Sequence, residues 1–163
     1  MDIETTGGRK PYHRITEIGA VKIKNGEIID SWQSLINPQR NIPANITNLT
    51  GISNAMVKNA PLFAEIAESF DEFSKGCVFV AHSVNFDYGF IRSEYERLGQ
   101  YYKRPKFCTC VGMKKYYPNH LSYSLANLTA HYNITLDNHH RAFDDAKAAA
   151  ELLLLINKKR QST

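Results

Sequence analysis

Cysteine is scarce in this chain, and long apolar runs are missing altogether. Cys77, Cys108 and Cys110 are an odd number, and Cys108-Thr109-Cys110 is too tight for the paired knuckle of a structural zinc site. Three reduced, packed thiols are therefore expected, not a disulfide framework. No stretch approaches the roughly 18 consecutive apolar residues of a membrane span, and the run from Leu152 to Ile156 is only five residues long. The N-terminus is acidic and polar, where a secretory leader is basic and then apolar, so a cytoplasmic location is expected. Internal repeats and low-complexity stretches are lacking as well.

What is present fits one ordinary domain over residues 1–163, with 43% hydrophobic and 22% charged residues and enough chain to bury a core. Twenty Lys and Arg against 16 Asp and Glu leave a formal charge of +4 and a pI near 8.9. That balance is compatible with a polyanionic partner without demanding one.

The apolar spacing alternates between strand and helix. Ile15 to Ile23 is rich in Ile and Val, Asn25-Gly26 is a tight-turn signal, and Glu27 to Ile36 resumes a strand pattern, which predicts a hairpin. Pro38 and Pro43 break regular structure, and Asn45 to Leu49 reads as a short helical turn. Phe63, Ile66, Ala67, Phe70 and Phe73 recur at helical spacing between Pro61 and Gly76. Cys77 to Ala81 reads as a buried strand, Phe86 to Leu98 as a helix, and Phe107 to Val111 as a further strand. Helices are expected over Val111 to Tyr117, Ser124 to Tyr132 and about Ala142 to Lys159. The order implies an α/β mixed sheet with covered faces, where strand ends and helix starts converge on one edge.

Chemistry concentrates at the two ends of the chain. In Asp2-Ile3-Glu4-Thr5-Thr6-Gly7 the acids stand two apart, so on a strand both carboxylates leave one face. That spacing suits metal ions roughly 3.5–4 Å apart. In His140-Arg141-Ala142-Phe143-Asp144-Asp145, a helical wheel groups Asp144 with Lys147 and Glu151, opposite Ala146, Ala149, Leu153 and Ile156. Asp145 lies near the apolar boundary and can enter a cleft, whereas Asp144 reads as a solvated acid favouring the helix dipole. His140 falls just before the helix and can swing toward the same point. Taken singly, these residues have plain structural readings: a solvated acid pair, a capping histidine, and for Asp87 a helix N-cap.

Three blocks together resemble the DEDDh family of 3′–5′ exonucleases, the group that contains the proofreading epsilon subunit of bacterial DNA polymerase III: DIETTG, AHSVNFDYGFI with Asp87, and HRAFDDA. TGISNAMVKNAP and SYSLANL are similar to connecting segments of that family, so the resemblance covers nearly the whole chain. It implies a ribonuclease H-like fold with a five-stranded mixed central sheet flanked by helices. It also implies two Mg²⁺ or Mn²⁺ ions on Asp2, Glu4, Asp87 and Asp145, with His140 as the base that takes a proton from water. Nucleoside 5′-monophosphates would leave from the 3′ end of single-stranded DNA or, alternatively, RNA, as in proofreading, repair or RNA trimming. The same resemblance sets the backbone of Thr5, Thr6 and Gly7 against the terminal nucleotide. A catalytically inactive nucleic-acid binding module is the contrasting reading, and the intact acid set argues against it.

Phe86 is expected in the core beside Phe90, with base stacking as its alternative, and His82 as a satisfied buried polar group. Arg9, Lys10 and Arg14, interleaved with Tyr12 and His13, read either as phosphate and base contacts or as a solvated loop. Two departures from the family stand out. Ser83 follows His82 where an Asn is usual, and only Met1 precedes Asp2 where several apolar residues are usual, so a shortened first strand is expected. A polymerase-binding tail or a fused second nuclease is expected to be absent after Lys158-Lys159-Arg160.

Overall fold

The computed structural model describes residues 1–162. Five strands and seven helices alternate along the chain: β1 Asp2–Thr5, β2 Ile15–Lys24, β3 Glu27–Leu35, α1 Ala44–Thr50, α2 Asn54–Val57, α3 Phe63–Ser74, β4 Phe79–Ala81, α4 Val84–Arg97, β5 Lys106–Cys108, α5 Thr109–Tyr116, α6 Leu125–His131 and α7 Ala142–Gln161. The fold is α/β and ribonuclease H-like, as expected.

The β2–β3 hairpin forms because Asn25 (φ 53°) and Gly26 (φ 84°) both accept left-handed backbone, the requirement of a two-residue turn that matches strand twist. Lys24 faces Glu27 across it. β1 joins on the other side of β2, antiparallel, with Asp2 opposite Gly19 and Glu4 opposite Glu17. β4 and β5 form a separate parallel ladder. The five strands thus fall into a three-stranded and a two-stranded group, linked where the Met1 ammonium donates to the Val80 carbonyl at 2.7 Å. Beyond Gly19, β2 pairs only with β3. A cavity of about 430 Å³ lies there, lined among others by Met1, Ala20, Ile23, Phe79 and Leu153.

Helices cover both faces of β2, and for that reason its first six residues are all buried. On one face, Ile3, Ile15 and Ile18 meet α3 and α4 through an aromatic cluster. Trp32 sits edge-on to Phe70, Phe63 edge-on to Tyr95, and Tyr95 stacks on Tyr102 at 4.8 Å. On the other face α7 crosses the strand, and its Ala148, Leu152 and Ile156 gather Met113, Leu125 and Leu128 of α5 and α6 into a second core. Each fully buried Leu or Ile there contributes about 1.5–3 kcal/mol.

Several boundaries differ from the expected ones, among them that of β4, which starts at Phe79 and leaves Val78 54% exposed where a buried strand was expected from Cys77. β5 spans Lys106–Cys108, and α5 already starts at Thr109. A short apolar run such as Phe107 to Val111 carries no period that separates strand from helix, and here the buried Thr109 hydroxyl bonds His82 at the strand's end. The four-residue α2 was not expected from the spacing; Ser53 caps it by accepting from the Met56 amide at 3.3 Å.

Candidate active site

β1 is short but presents two acids. Its side chains alternate, Ile3 and Thr5 into the core and Asp2 and Glu4 toward the opposite, half-buried face. The first turn of α7 is brought to the same place by β2. Gly19 has no side chain, and a Cβ there would lie 2.4 Å from the Phe143 Cα, so only glycine lets the helix backbone descend onto the strand. Glu17 then grips the helix start. It accepts from Arg141 Nε at 3.1 Å, Arg141 Nη2 at 2.8 Å and the Ala142 amide at 3.0 Å.

One turn into α7, Asp145 is 4% exposed. Carboxylate oxygens of Asp2, Glu4 and Asp145 lie within 4.8 Å of one another. α4 supplies the fourth acid: Asp87, 2% exposed, accepts from the Ile3 amide at 3.2 Å. The structure therefore brings the four acids expected from the sequence to one edge of the sheet.

Such crowding has an electrostatic consequence. Burial, and then the neighbouring charges of Asp87, Glu4 and Asp145, hold the Asp2 carboxyl well above its ordinary range. Burial also pushes Glu4 up to about 8, reinforced by Asp145, Glu17 and Asp87 and opposed by Arg141. Asp87 is pushed up to about 7 by burial, against the pull of the N-terminal ammonium and of backbone donors. Buried carboxylates that repel one another favour a cation in their midst, and an all-oxygen set suits hard divalent ions. The residues fit the divalent-metal dependence of the DEDDh exonucleases.

The histidine expected from the sequence is joined by its neighbour. His139 Nδ1 lies 3.0 Å from Asp145 Oδ1, while His140 donates its backbone amide to Asp145 Oδ2 at 3.3 Å. The two rings stack at 3.8 Å. His140 has φ 69°, a left-handed backbone uncommon for a non-glycine residue. Burial and the His139 ring lower its pKa, with Asp145 opposing. Asp144 behaves as the wheel predicts, bonded to Lys147 and Asn138 away from the acid group.

Residues around the acids settle several expectations. Thr6 is fully buried, and its hydroxyl is committed to His13 Nδ1 at 3.2 Å and the Arg14 amide at 3.1 Å. The Thr5 hydroxyl bonds the Gly7 carbonyl at 3.0 Å. The space that a Gly7 side chain would need holds the His13 ring. Arg14 is no free phosphate contact: it pairs bidentately with the buried Glu94, both bonds 2.7 Å. Phe86 is not in the core but 38% exposed, because α4 starts at Val84 and its buried face falls on Val84, Asp87, Tyr88 and Ile91. His82 is buried as expected. Its Nε2 meets the Tyr123 carbonyl at 2.8 Å, which requires Nε2–H and leaves Nδ1 to accept from Thr109; burial lowers its pKa accordingly.

Glu17, Gly19 and Arg141 escaped the sequence reading, although one signal was available. Glu17 is a lone acid inside an Ile-, Gly- and Ala-rich strand, where a charge persists only when paired.

An α/β sheet with acids from β1, α4 and α7 converging beside a histidine loop is the arrangement that the resemblance to the DEDDh exonucleases implies. The chain belongs to the exonuclease family: the family model described as Exonuclease (RNase_T) matches residues 1–153. DNA polymerase III PolC-type of Caldanaerobacter subterraneus subsp. tengcongensis is 44% identical over 161 residues, 99% of this chain. The chain spans only 12% of that protein's length. Among solved structures, exonuclease X in complex with 5′ overhanging duplex DNA superposes with a TM-score of 0.79 at 24% identity, covering 99% of this chain and 92% of that one. The nuclease domain of 3′hExo, a DEDDh family member bound to rAMP, gives 0.82 at 18% identity, covering 96% and 89%.

Proposed function

We propose that this chain is a metal-dependent 3′–5′ exonuclease that hydrolyses the terminal phosphodiester bond of single-stranded DNA and releases nucleoside 5′-monophosphates. The observation that carries this reading is the convergence of Asp2, Glu4 and Asp145 oxygens within 4.8 Å, with Asp87 bound to the same strand. Asp2, Glu4, Asp87 and Asp145 would hold two Mg²⁺ or Mn²⁺ ions. Ions bound there supply Lewis acidity and ease deprotonation of water.

The chain's own groups do the rest. His140 takes a proton from the attacking water, a role suited to an imidazole left neutral at pH 7 by its lowered pKa. The Thr5–Gly7 main chain, directly after Glu4, receives the 3′-terminal nucleotide. The hydroxyls of Thr5 and Thr6 keep that loop in shape through bonds to Gly7, His13 and Arg14.

The likeness to polymerase III PolC-type supports a place in replication proofreading or repair in the cytoplasm, alongside a DNA polymerase or another fused domain. A second reading, trimming of RNA 3′ ends, is supported by the fold shared with 3′hExo, whose structure holds rAMP. A time course on 5′-labelled DNA and RNA of one sequence, with Mg²⁺, Mn²⁺ or chelator and with Asp145→Ala alongside, tests both. The expected result is a metal-dependent ladder shortening from the 3′ end of DNA, lost in the variant. A faster RNA ladder would select the second reading, and no ladder from the folded protein would overturn both.

A further inference from the structure

Asp145 belongs to two donor sets of different chemistry. Toward β1 it faces Asp2 and Glu4, an all-oxygen group; toward the loop before α7 it faces His139 and His140, whose ring nitrogens lie with its carboxylate within 4.8 Å of one another. Two imidazoles and a carboxylate are the ligands of a borderline-soft divalent cation, whereas Mg²⁺ keeps to oxygen. His139 Nδ1 and Asp145 Oδ1 are 3.0 Å apart, close to the separation of about 3.3 Å between two ligand atoms of tetrahedral zinc. The rings stack at 3.8 Å with their planes 25° apart, so one ring turns out of the stack to bring its nitrogen to the ion. His139 is exposed and His140 half-buried, while Asp145 is buried, so the set opens to solvent at its histidine end and reaches the acids at the other.

We propose that His139, His140 and Asp145 form a site for a zinc-like cation whose binding withdraws Asp145 from the acid group and switches the nuclease off. Binding takes up the Nδ1 lone pair of His139, its N–H moving to Nε2 by tautomerisation, and leaves a neutral imidazole nitrogen and a carboxylate oxygen on the metal. One carboxylate then serves the soft cation at the expense of the hard ones, so inhibition is by competition for a shared ligand. The switching rests on the proposed nuclease activity; the binding does not.

The test is calorimetric titration of the metal-free protein with ZnCl₂, repeated on His139→Ala and Asp2→Asn, with Co²⁺ absorption as a second readout. Zinc affinity should fall at least tenfold in His139→Ala and stay within about threefold in Asp2→Asn. Co²⁺ should give intense visible bands in the wild type and Asp2→Asn that weaken in His139→Ala. In the nuclease assay, micromolar Zn²⁺ added over millimolar Mg²⁺ should stop the wild type, and His139→Ala should need at least tenfold more. The reverse pattern, zinc lost with Asp2→Asn and kept with His139→Ala, would place the ion among the carboxylates and overturn the proposal. Histidine-dependent zinc binding without any Mg²⁺-dependent nuclease would overturn the exonuclease reading and the switch while upholding the site. Nuclease activity without histidine-dependent zinc binding would overturn the site alone.

Discussion

Glu17 on β2 and Arg141 at the start of α7, 124 residues apart, are joined by two hydrogen bonds of 3.1 and 2.8 Å, and the Ala142 amide adds a third donor to the same carboxylate. This grip fixes where α7 begins, and hence where Asp145 and the histidine loop stand relative to Asp2 and Glu4. Arg141 also offsets the charge of Glu4. One ion pair therefore sets both the geometry and part of the field of the site.

Arg141→Ala leaves Glu17, 8% exposed at its side chain, with only the Ala142 amide. Breaking a fully buried pair costs about 3–5 kcal/mol; with Arg141 itself 39% exposed, a loss of about 1–3 kcal/mol is expected by urea unfolding. Turnover should fall at least tenfold at temperatures where the variant remains folded.

Gly19→Ala is expected to destabilise by about 1–3 kcal/mol, the usual range for overpacking, because its Cβ meets Phe143 backbone, which cannot rotate away. Since the displaced element carries Asp145, activity should drop by more than the lost folded fraction. Thermal melts and turnover measured side by side check the difference.

Asp2→Ala and Asp145→Ala should each cut turnover by orders of magnitude while the fold persists. Asp2→Ala removes one of several mutually repelling buried acids, so that metal-free variant should melt no lower than the wild type, whereas Asp145→Ala also forfeits the bonds from His139 and from the His140 amide. Mg²⁺ or Mn²⁺ should raise the melting temperature of the wild type and fail to do so in Asp145→Ala.

Glu4→Gln isolates one titration. The folded-state pKa of Glu4 is pushed up from 4.5 to about 8, so its contribution to stability is full below pH 4.5 and is lost as pH rises through about 8. Metal-free Glu4→Gln should therefore gain on the metal-free wild type between pH 4.5 and 8, with the gap level above that. A gap independent of pH in paired melts would refute the raised pKa.

Arg14→Ala tests the structural use of a residue that the sequence offered equally as a phosphate contact. Glu94 is 3% exposed and would keep only a 3.4 Å bond from the Ile15 amide, so a destabilisation of about 3–5 kcal/mol is expected. Metal affinity at the acid group, read by calorimetry on the folded variant, should be unchanged.

The chain's local patterns carried much of this. Alternation in Asp2–Thr5 put Asp2 and Glu4 on one face, Asn25-Gly26 located the hairpin, and the wheel over Ala142 to Lys159 separated buried Asp145 from solvated Asp144, because period and backbone propensity are local properties. The split of the strands into two ladders, the exposure of Phe86 and the start of α5 at Thr109 depend on where each element lands against the others. The same holds for the site: residue types and order announced four acids and a histidine, but only tertiary packing decided that Gly19 admits α7, that Glu17 holds Arg141, and that His139 stands beside His140 on Asp145. Those contacts join residues more than a hundred positions apart or depend on a loop's left-handed turn, and neither hydrophobic period nor charge records such distances.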